Sequence, residues 1–266
     1  MMRVPLIDME VSRMKSAIVI PARYASSRLP GKPLLKSTGK YLIQHVYEKA
    51  CQSKHASHVV VATDDSRIMA AVQSFGGNVV MTRRDHPSGT DRVAEVARNL
   101  DVDVIVNLQG DEPLVDPAAL DMLPDLLAAE PNARMATLAM PLLSLEAYRS
   151  PNVVKVVCDQ KGRALYFSRS PIPMVRDGEP QLAAKSQLFL HHLGLYAYRK
   201  SALLELATMP PHPLEETEKL EQLRVLAMGW QVQVGVVEHA GRGVDTPDDY
   251  QRFVTEFRTP HLSAAA

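Results

Sequence analysis

The sequence predicts an α/β protein built on a doubly wound, mostly parallel sheet with an inserted β-rich arm. Short apolar runs at 17–20, 59–62, 78–81 and 104–108 have the length of buried strands, and segments with helical spacing separate them. Strands buried on both faces and joined by amphipathic helices form parallel sheets with a helical layer on each side. A chain of 266 residues, 46% hydrophobic and 23% charged, is long enough for one such domain. We expect the domain to span 16–258, with the arm around 151–215 and flexible extensions at 1–15 and 259–266.

The elements follow in order. After strand 17–20, Leu42, Ile43, Val46, Tyr47 and Ala50 recur at helical spacing. Strand 59–62 leads to a helix over 64–75 that opens with Asp64 and Asp65, whose charges suit a positive helix end. Strand 78–81, a helix over 91–100 and strand 104–108 come next, then a polar turn and a helix over 117–129. Segments 153–158 and 164–167 flank the turn Asp159-Gln-Lys-Gly162 and read as a hairpin. Residues 169–187, rich in proline, glycine and charge, read as a loop that covers a site or reaches a partner subunit. A strand over 188–198 follows, then one helix over 215–228. On that helix Leu220, Leu223 and Ala227 share one face, and Glu215, Glu218 and Gln222 share another. Thr246, Pro247 and Asp249 spell the capping box of a last helix.

Composition excludes some classes of function. Lys+Arg 30 against Asp+Glu 30 leaves no basic excess for nucleic acid. No run approaches the ~20 apolar residues that span a bilayer, and Arg3, Asp8, Glu10 and Arg13 interrupt any signal-peptide core. Cys51 and Cys158 form no paired motif and fit free thiols in a reducing compartment. These features predict a cytoplasmic protein with no membrane or nucleic-acid partner.

The chemistry concentrates in loops that follow strands. Ile20-Pro-Ala-Arg-Tyr-Ala-Ser-Ser-Arg-Leu-Pro-Gly-Lys-Pro33 sets Arg23, Arg28 and Lys32 on a proline-stiffened loop that can surround a polyphosphate. It is neither a P-loop, since Pro33 follows Lys32, nor a Rossmann glycine fingerprint. Gln109-Gly-Asp-Glu-Pro113 places Asp111 in a turn at a strand's carboxyl end, where open α/β sheets bind ligands. One or two carboxylates there suffice for Mg²⁺ beside phosphate oxygens, although Gly-Asp-Glu-Pro is also a common turn. In Gly243-Val-Asp-Thr-Pro-Asp-Asp249, Asp248 and Asp249 serve the helix end, and Asp245 has no such task. Asp101-Val-Asp103 precedes its strand and therefore lies at the opposite end. Ser88-Gly-Thr-Asp-Arg92 either presents Gly89 and Thr90 to a base or caps a helix through Ser88 or Thr90. Adjacent His191 and His192 on a strand point to opposite faces and do not share one metal.

These motifs resemble, in order and spacing over 16–258, the sugar nucleotidyltransferases that activate acidic sugars with CTP. The resemblance is greatest to the 3-deoxy-manno-octulosonate (Kdo) cytidylyltransferases. It implies a nucleotide-diphospho-sugar transferase-like fold, Mg²⁺ as cofactor, CTP and Kdo as substrates, and a homodimer made through the arm. The reaction it implies gives CMP-Kdo and pyrophosphate for lipopolysaccharide synthesis. By resemblance, Asp111 and Asp245 hold the metal and act with Arg23 and Lys32 in catalysis. Arg23, Arg28, Lys32, Arg83, Gly89, Thr90 and Gln109 bind the nucleotide. Gln109, Arg169, His192, Tyr196, Glu221 and Gln222 bind the sugar. Glu215-Glu-Thr-Glu218 departs from the family, which carries histidine in the middle of this motif, so 8-amino-Kdo or a sialic-acid type of sugar is an alternative. The motifs also leave room for a metal-dependent glycosyltransferase using Asp103 and for a noncatalytic nucleotide-binding regulator.

Overall fold

The computed structural model describes residues 14–25, 29–183 and 187–259. Arg28 and nearly all of both expected extensions lie outside them. Strand β1 (Ser16–Ala22) is buried along its whole length. It pairs in parallel with β2 (Ala56–Thr63) on one side and β4 (Val104–Asn107) on the other, and β3 (Val79–Met81) pairs with β2. The order continues β4, β8 (Leu190–Arg199), β5 (Ala133–Pro141) and β9 (Gln231–Val236). Because β8 runs antiparallel to both β4 and β5, its first residues lie at the end of the sheet where β1 and β4 finish.

The period of two along β1 divides the core between the faces of the sheet. Ile18 and Ile20 pack with Ile43 and Val46 of α1 (Leu42–Ala50), Ile68 and Val72 of α2 (Ser66–Ser74), and Leu120 and Leu123 of α4 (Pro117–Ala129). Ala17 and Val19 face the other layer. That layer holds Val93 and Ala97 of α3 (Gly89–Ala97), Leu203 of α6 (Lys200–Leu206) and Leu223 of α8 (Gln222–Ala227). The doubly wound arrangement expected from the sequence is therefore present. The inserted hairpin is β6 (Lys155–Cys158) with β7 (Ala164–Ser168), and β6 joins the sheet through β8. The short α5 (Leu145–Arg149) precedes it.

Several elements differ from the sequence expectation; α5, α6 and β9, for example, have no counterpart in it. Strand β5 is an interior strand of the sheet, between β8 and β9, yet its stretch Met135-Ala-Thr-Leu-Ala-Met140 consists mainly of good helix formers. Pairing with β8 and β9 on either side imposes the extended state. Helix α3 begins two residues early, at Gly89, because Ser88 and Asp91 form its capping box. The single helix over 215–228 is instead α7 (Pro213–Glu218) and α8, broken where Lys219 adopts φ 55° and ψ 47°. The end of the hairpin explains the break. Ser168 Oγ and the Arg169 N–H donate to the Glu218 carboxylate at 2.6 and 2.9 Å, and Arg169 Nε donates to the Glu218 carbonyl at 2.7 Å. Glu215, Glu218 and Gln222 consequently serve three different places rather than one acidic face, and Ala227 is exposed.

Cys51 and Cys158 are both free thiols, and burial pushes Cys158 up to about 11. Among the described residues no helix is long and apolar enough to cross a membrane.

The left-handed backbone at Lys219 disfavours any side chain with a Cβ. We predict that Lys219→Gly leaves the protein as stable as the parent or more so, by up to about 1 kcal/mol, despite glycine's larger unfolded-state entropy. Lys219→Val should destabilise it by about 1 kcal/mol or more. Urea unfolding of the three proteins measures both.

Candidate active site

The loop after β1 is closed by its own backbone. The Gly31 N–H donates to the Tyr24 carbonyl at 3.1 Å, and Gly31 adopts φ 67° with the Tyr24 ring against it. A Cβ at Gly31 would come within 3.2 Å of that ring, so the position needs glycine for both space and conformation. The Arg67 guanidinium covers Tyr24 at 3.4 Å from the ring centroid. Arg23 Nη2 donates to the carbonyls of His86 and Ser88, both at 2.8 Å, which fastens this loop to the start of α3. Lys32 begins a short 3-10 helix (Lys32–Leu34) with Pro33 behind it.

The second wall comes from far along the chain. The Val244 N–H donates to the Asp111 carbonyl at 2.8 Å. At Gly241 a Cβ would lie 2.1 Å from the Leu114 carbonyl oxygen, so only glycine permits this close approach. The contact brings Asp245 beside Asp111. Thr246 then caps α9 (Pro247–Arg258) with Pro247 at its first position. Asp249 accepts from the N–H groups of Asp245 and Thr246, as its place in the capping box predicts.

Between the walls, Lys32 Nζ donates to Asp111 Oδ2 at 2.6 Å, the Val244 carbonyl at 2.8 Å and Asp245 Oδ1 at 3.2 Å. A cavity of about 430 Å³ opens here, and Arg23, Lys32, Gly89, Gln109, Asp111 and Asp245 all line it. Six of the residues singled out in the sequence are thus brought together. Arg83 is not among the lining residues; its side chain is exposed and pairs with Asp85 at 3.3 Å. Thr90 turns away from the cavity and donates its hydroxyl to Glu221. Asp103 receives the Lys15 N–H at 2.9 Å at the amino end of β4, away from all of this.

The donor set fits a hard divalent cation. Two carboxylates converge on the single point now taken by a lysine cation, and all the donors are oxygens. Among the described residues no group of three or more His, Cys, Asp or Glu forms a complete metal cage, so the remaining positions would fall to water and phosphate. Glu112, which no sequence motif singles out as functional, stands beside the pair. Burial pushes its carboxyl up to about 8, with Asp111 and Asp245 adding to the shift and Lys32 opposing it.

Apart from Gln109, which lines the cavity, the residues assigned to the sugar gather on the face occupied by α3 and α8. His192 is buried, its Nε2 lies 2.9 Å from Thr137 Oγ1, and its ring meets Phe167 edge-on at 4.8 Å and Tyr196 at 5.5 Å. Burial first and then His191 push it down to about 3, so its ring is neutral at ordinary pH. The Tyr196 hydroxyl donates to Gln222 Oε1 at 3.3 Å, and burial raises its pKa. Gln222 Nε2 is buried and has no partner among the described residues. Burial also raises Glu221, which lies 3.6 Å from Arg224. Arg224 pairs in turn with Glu215 at 3.0 Å. The Arg169 guanidinium is engaged by backbone carbonyls of Glu218 and, at 2.9 Å, Pro151. It is therefore not aimed at an open cavity here.

The proton on Glu112 makes stability depend on pH. Between the ordinary carboxylate range and about pH 8 the native state holds this proton and the unfolded chain does not. Stability therefore falls as pH rises through that window. Glu112→Gln removes the slope, and at pH 8 the variant should exceed the parent by at least about 1 kcal/mol, with the gap closing toward pH 5. Urea unfolding in EDTA at both pH values measures this.

The cytidylyltransferase family matches residues 17–233. The 3-deoxy-manno-octulosonate cytidylyltransferase of Syntrophotalea carbinolica is 50% identical over 248 residues, covering 92% of this chain and 99% of its own. That of Syntrophobacter fumaroxidans is 52% identical over 239 residues, covering 89% and 94%. A solved structure of CMP:2-keto-3-deoxy-manno-octonic acid synthetase complexed with CTP superposes with a TM-score of 0.85 at 45% identity, over 91% of this chain and 98% of that one. A cytidylyltransferase from Leptospira borgpetersenii, 21% identical with a TM-score of 0.61, shares the fold. Identity at this level, over nearly the full length of the relatives and on the same mixed sheet with its inserted hairpin, makes this chain a member of the 3-deoxy-manno-octulosonate cytidylyltransferase family.

Proposed function

We propose that the protein transfers the cytidylyl group of CTP to the anomeric hydroxyl of Kdo, giving CMP-Kdo and pyrophosphate, in a Mg²⁺-dependent cytoplasmic reaction that feeds lipopolysaccharide synthesis. The observation that carries this reading is the convergence of Lys32, Asp111 and Asp245 in a cavity also lined by Arg23 and Gln109. The sugar oxygen forms its bond to the α-phosphorus as the bond to the β-phosphate oxygen breaks, and the hydroxyl proton leaves to solvent. Arg23 and Lys32, with Arg28, offset the charge of the triphosphate and of the departing pyrophosphate. Gly89 and Gln109 would meet the nucleotide at the start of α3, whereas Thr90 and Arg83, assigned to it by resemblance, do not line the cavity. Bound at Asp111 and Asp245, Mg²⁺ would lower the pKa of the attacking hydroxyl and stabilise charge at the α-phosphate.

Kdo would lie against His192, Tyr196 and Gln222, with Glu221 and Arg169 at its border. The unpartnered Gln222 Nε2 offers an N–H to a sugar hydroxyl, and a neutral His192 can donate or accept without a charge to desolvate. Glu215 and Glu218 are tied to Arg224 and to the hairpin, so nothing in that motif favours an 8-amino or sialic-acid type of sugar. We further propose a homodimer through the hairpin region. Leu143, Leu165, Met174 and Leu188 are exposed there by 63%, 62%, 80% and 58%, more apolar surface than a lone arm keeps in water. Light scattering at micromolar concentration should give twice the chain mass, and a fully active monomer would count against this.

Pyrophosphate release tests the activity. It should require CTP and Kdo together and should be slow with ATP or GTP. Asp111→Asn and Asp245→Asn should each reduce kcat about a hundredfold or more while the fold is kept, since an amide retains shape and loses charge. Asp103→Asn should stay near the parent. An inactive Asp103 variant beside a near-normal Asp245 variant would move the reading to a glycosyltransferase.

A further inference from the structure

Lys32 sits at the point on which the Asp111 and Asp245 carboxylates converge. An ammonium has three N–H donors and no acceptor. All three find acceptors, on Asp111 at 2.6 Å, Val244 at 2.8 Å and Asp245 at 3.2 Å. The seat is well enclosed, with only 12% of the lysine side chain exposed. Its backbone is fixed by the turn at Gly31, by the Lys32 N–H bond to the Leu29 carbonyl at 3.2 Å, and by Pro33. Only the four-carbon stem is free to swing.

We propose that Lys32 guards the metal seat, so that a divalent cation binds only when the nucleotide's phosphates draw the lysine off the two aspartates. The inference rests on the reading of Asp111 and Asp245 as metal carboxylates. While seated, the ammonium holds one oxygen of each carboxylate and places its own positive charge at the point where they converge, so it competes with a divalent cation for that point. Lys32 also has no N–H left for a phosphate while it stays seated. The two states of the lysine are thus exclusive: on the carboxylates, or on a phosphate in the cavity it lines with Arg23. Phosphate moves the lysine, the vacated carboxylates take the metal, and the charge on the two aspartates is compensated throughout. Metal and nucleotide then raise each other's affinity by the same factor, as any coupling between two sites requires. The aspartates are also kept from capturing a metal unaccompanied by substrate.

The test is Mn²⁺ binding followed by electron paramagnetic resonance, corrected for the metal that CTP binds alone. Parent, Asp111→Asn, Lys32→Met, Lys32→Gln and Lys32→Met/Asp111→Asn proteins are titrated with and without CTP, with no sugar present. Lys32→Gln keeps a donor at the seat and serves if the Met variant does not fold. A lysine seated in about nine molecules of ten lowers the apparent metal affinity about tenfold, so Lys32→Met should bind Mn²⁺ alone about tenfold tighter than the parent. CTP should strengthen metal binding much more in the parent than in Lys32→Met, and the double variant should lose the gain. If the parent with CTP binds Mn²⁺ at a site that Asp111→Asn abolishes, but removing Lys32 gives no gain without CTP, the guard is refuted and the metal site stands. If no Asp111-dependent site appears even with CTP, the metal reading fails and the guard fails with it.

Discussion

The segment 241–244 lies flat against the turn that follows β4, held by the bond from the Val244 N–H to the Asp111 carbonyl. Everything at the phosphate end of the site depends on this contact. It supplies the carbonyl of Val244 that takes one N–H of Lys32, and it sets the second aspartate beside the first. Backbone can meet backbone this closely only because Gly241 carries no side chain. The capping box of α9 fixes the chain immediately beyond it, so that Asp245 is held from both sides. The acidic pair is thus positioned by main-chain geometry, with flexible side chains adding only the last few ångströms.

The nucleotide cavity and the proposed sugar wall are joined by one polar chain. Arg23 holds the Ser88 carbonyl, Ser88 caps α3, and Thr90 in the first turn of α3 donates to Glu221 beside α8. Glu221 continues to Arg224 and Glu215. Thr90 and Arg224 are buried and the other members half-buried, in surroundings where a hydrogen bond is stronger than in water and an unmade one is expensive. The break at Lys219 belongs to the same design. It lets α7 dock on the hairpin through Glu218 while α8 docks on the sheet through Leu223 and Val225.

How much the sequence reveals depends on how far away the deciding partner lies. The helix over Pro117–Ala129 and the cap at Thr246 are legible because proline and the capping residues act within a turn of themselves. Arg23, Lys32, Asp111 and Asp245 are legible because each sits in a short motif directly after a strand or before a helix. Strand β5 is not, since its helix-favouring residues are overruled by two neighbouring strands. The helix break is hidden because its cause is Arg169, some 50 residues upstream in sequence. Thr90 and Arg169 stand out in the sequence, but their partners, Glu221 and the carbonyls near Pro151, follow from packing alone. Glu112 gives no signal beyond its place in the turn, because its burial depends on the late segment around Gly243.

The wide separation of the two aspartates along the chain bears on how the protein is made. Asp111 is synthesised early, with β1 and its loop already available, whereas Asp245 comes more than a hundred residues later. During elongation at about 5–20 residues per second, the growing polypeptide carries one lone aspartate in the β4 turn for several seconds. Lys32 is present from the start and can neutralise that single charge by itself. Lys32 thus precedes both aspartates along the chain and is available to each as it is made. The acidic pair is complete only once the segment before the last helix has been made.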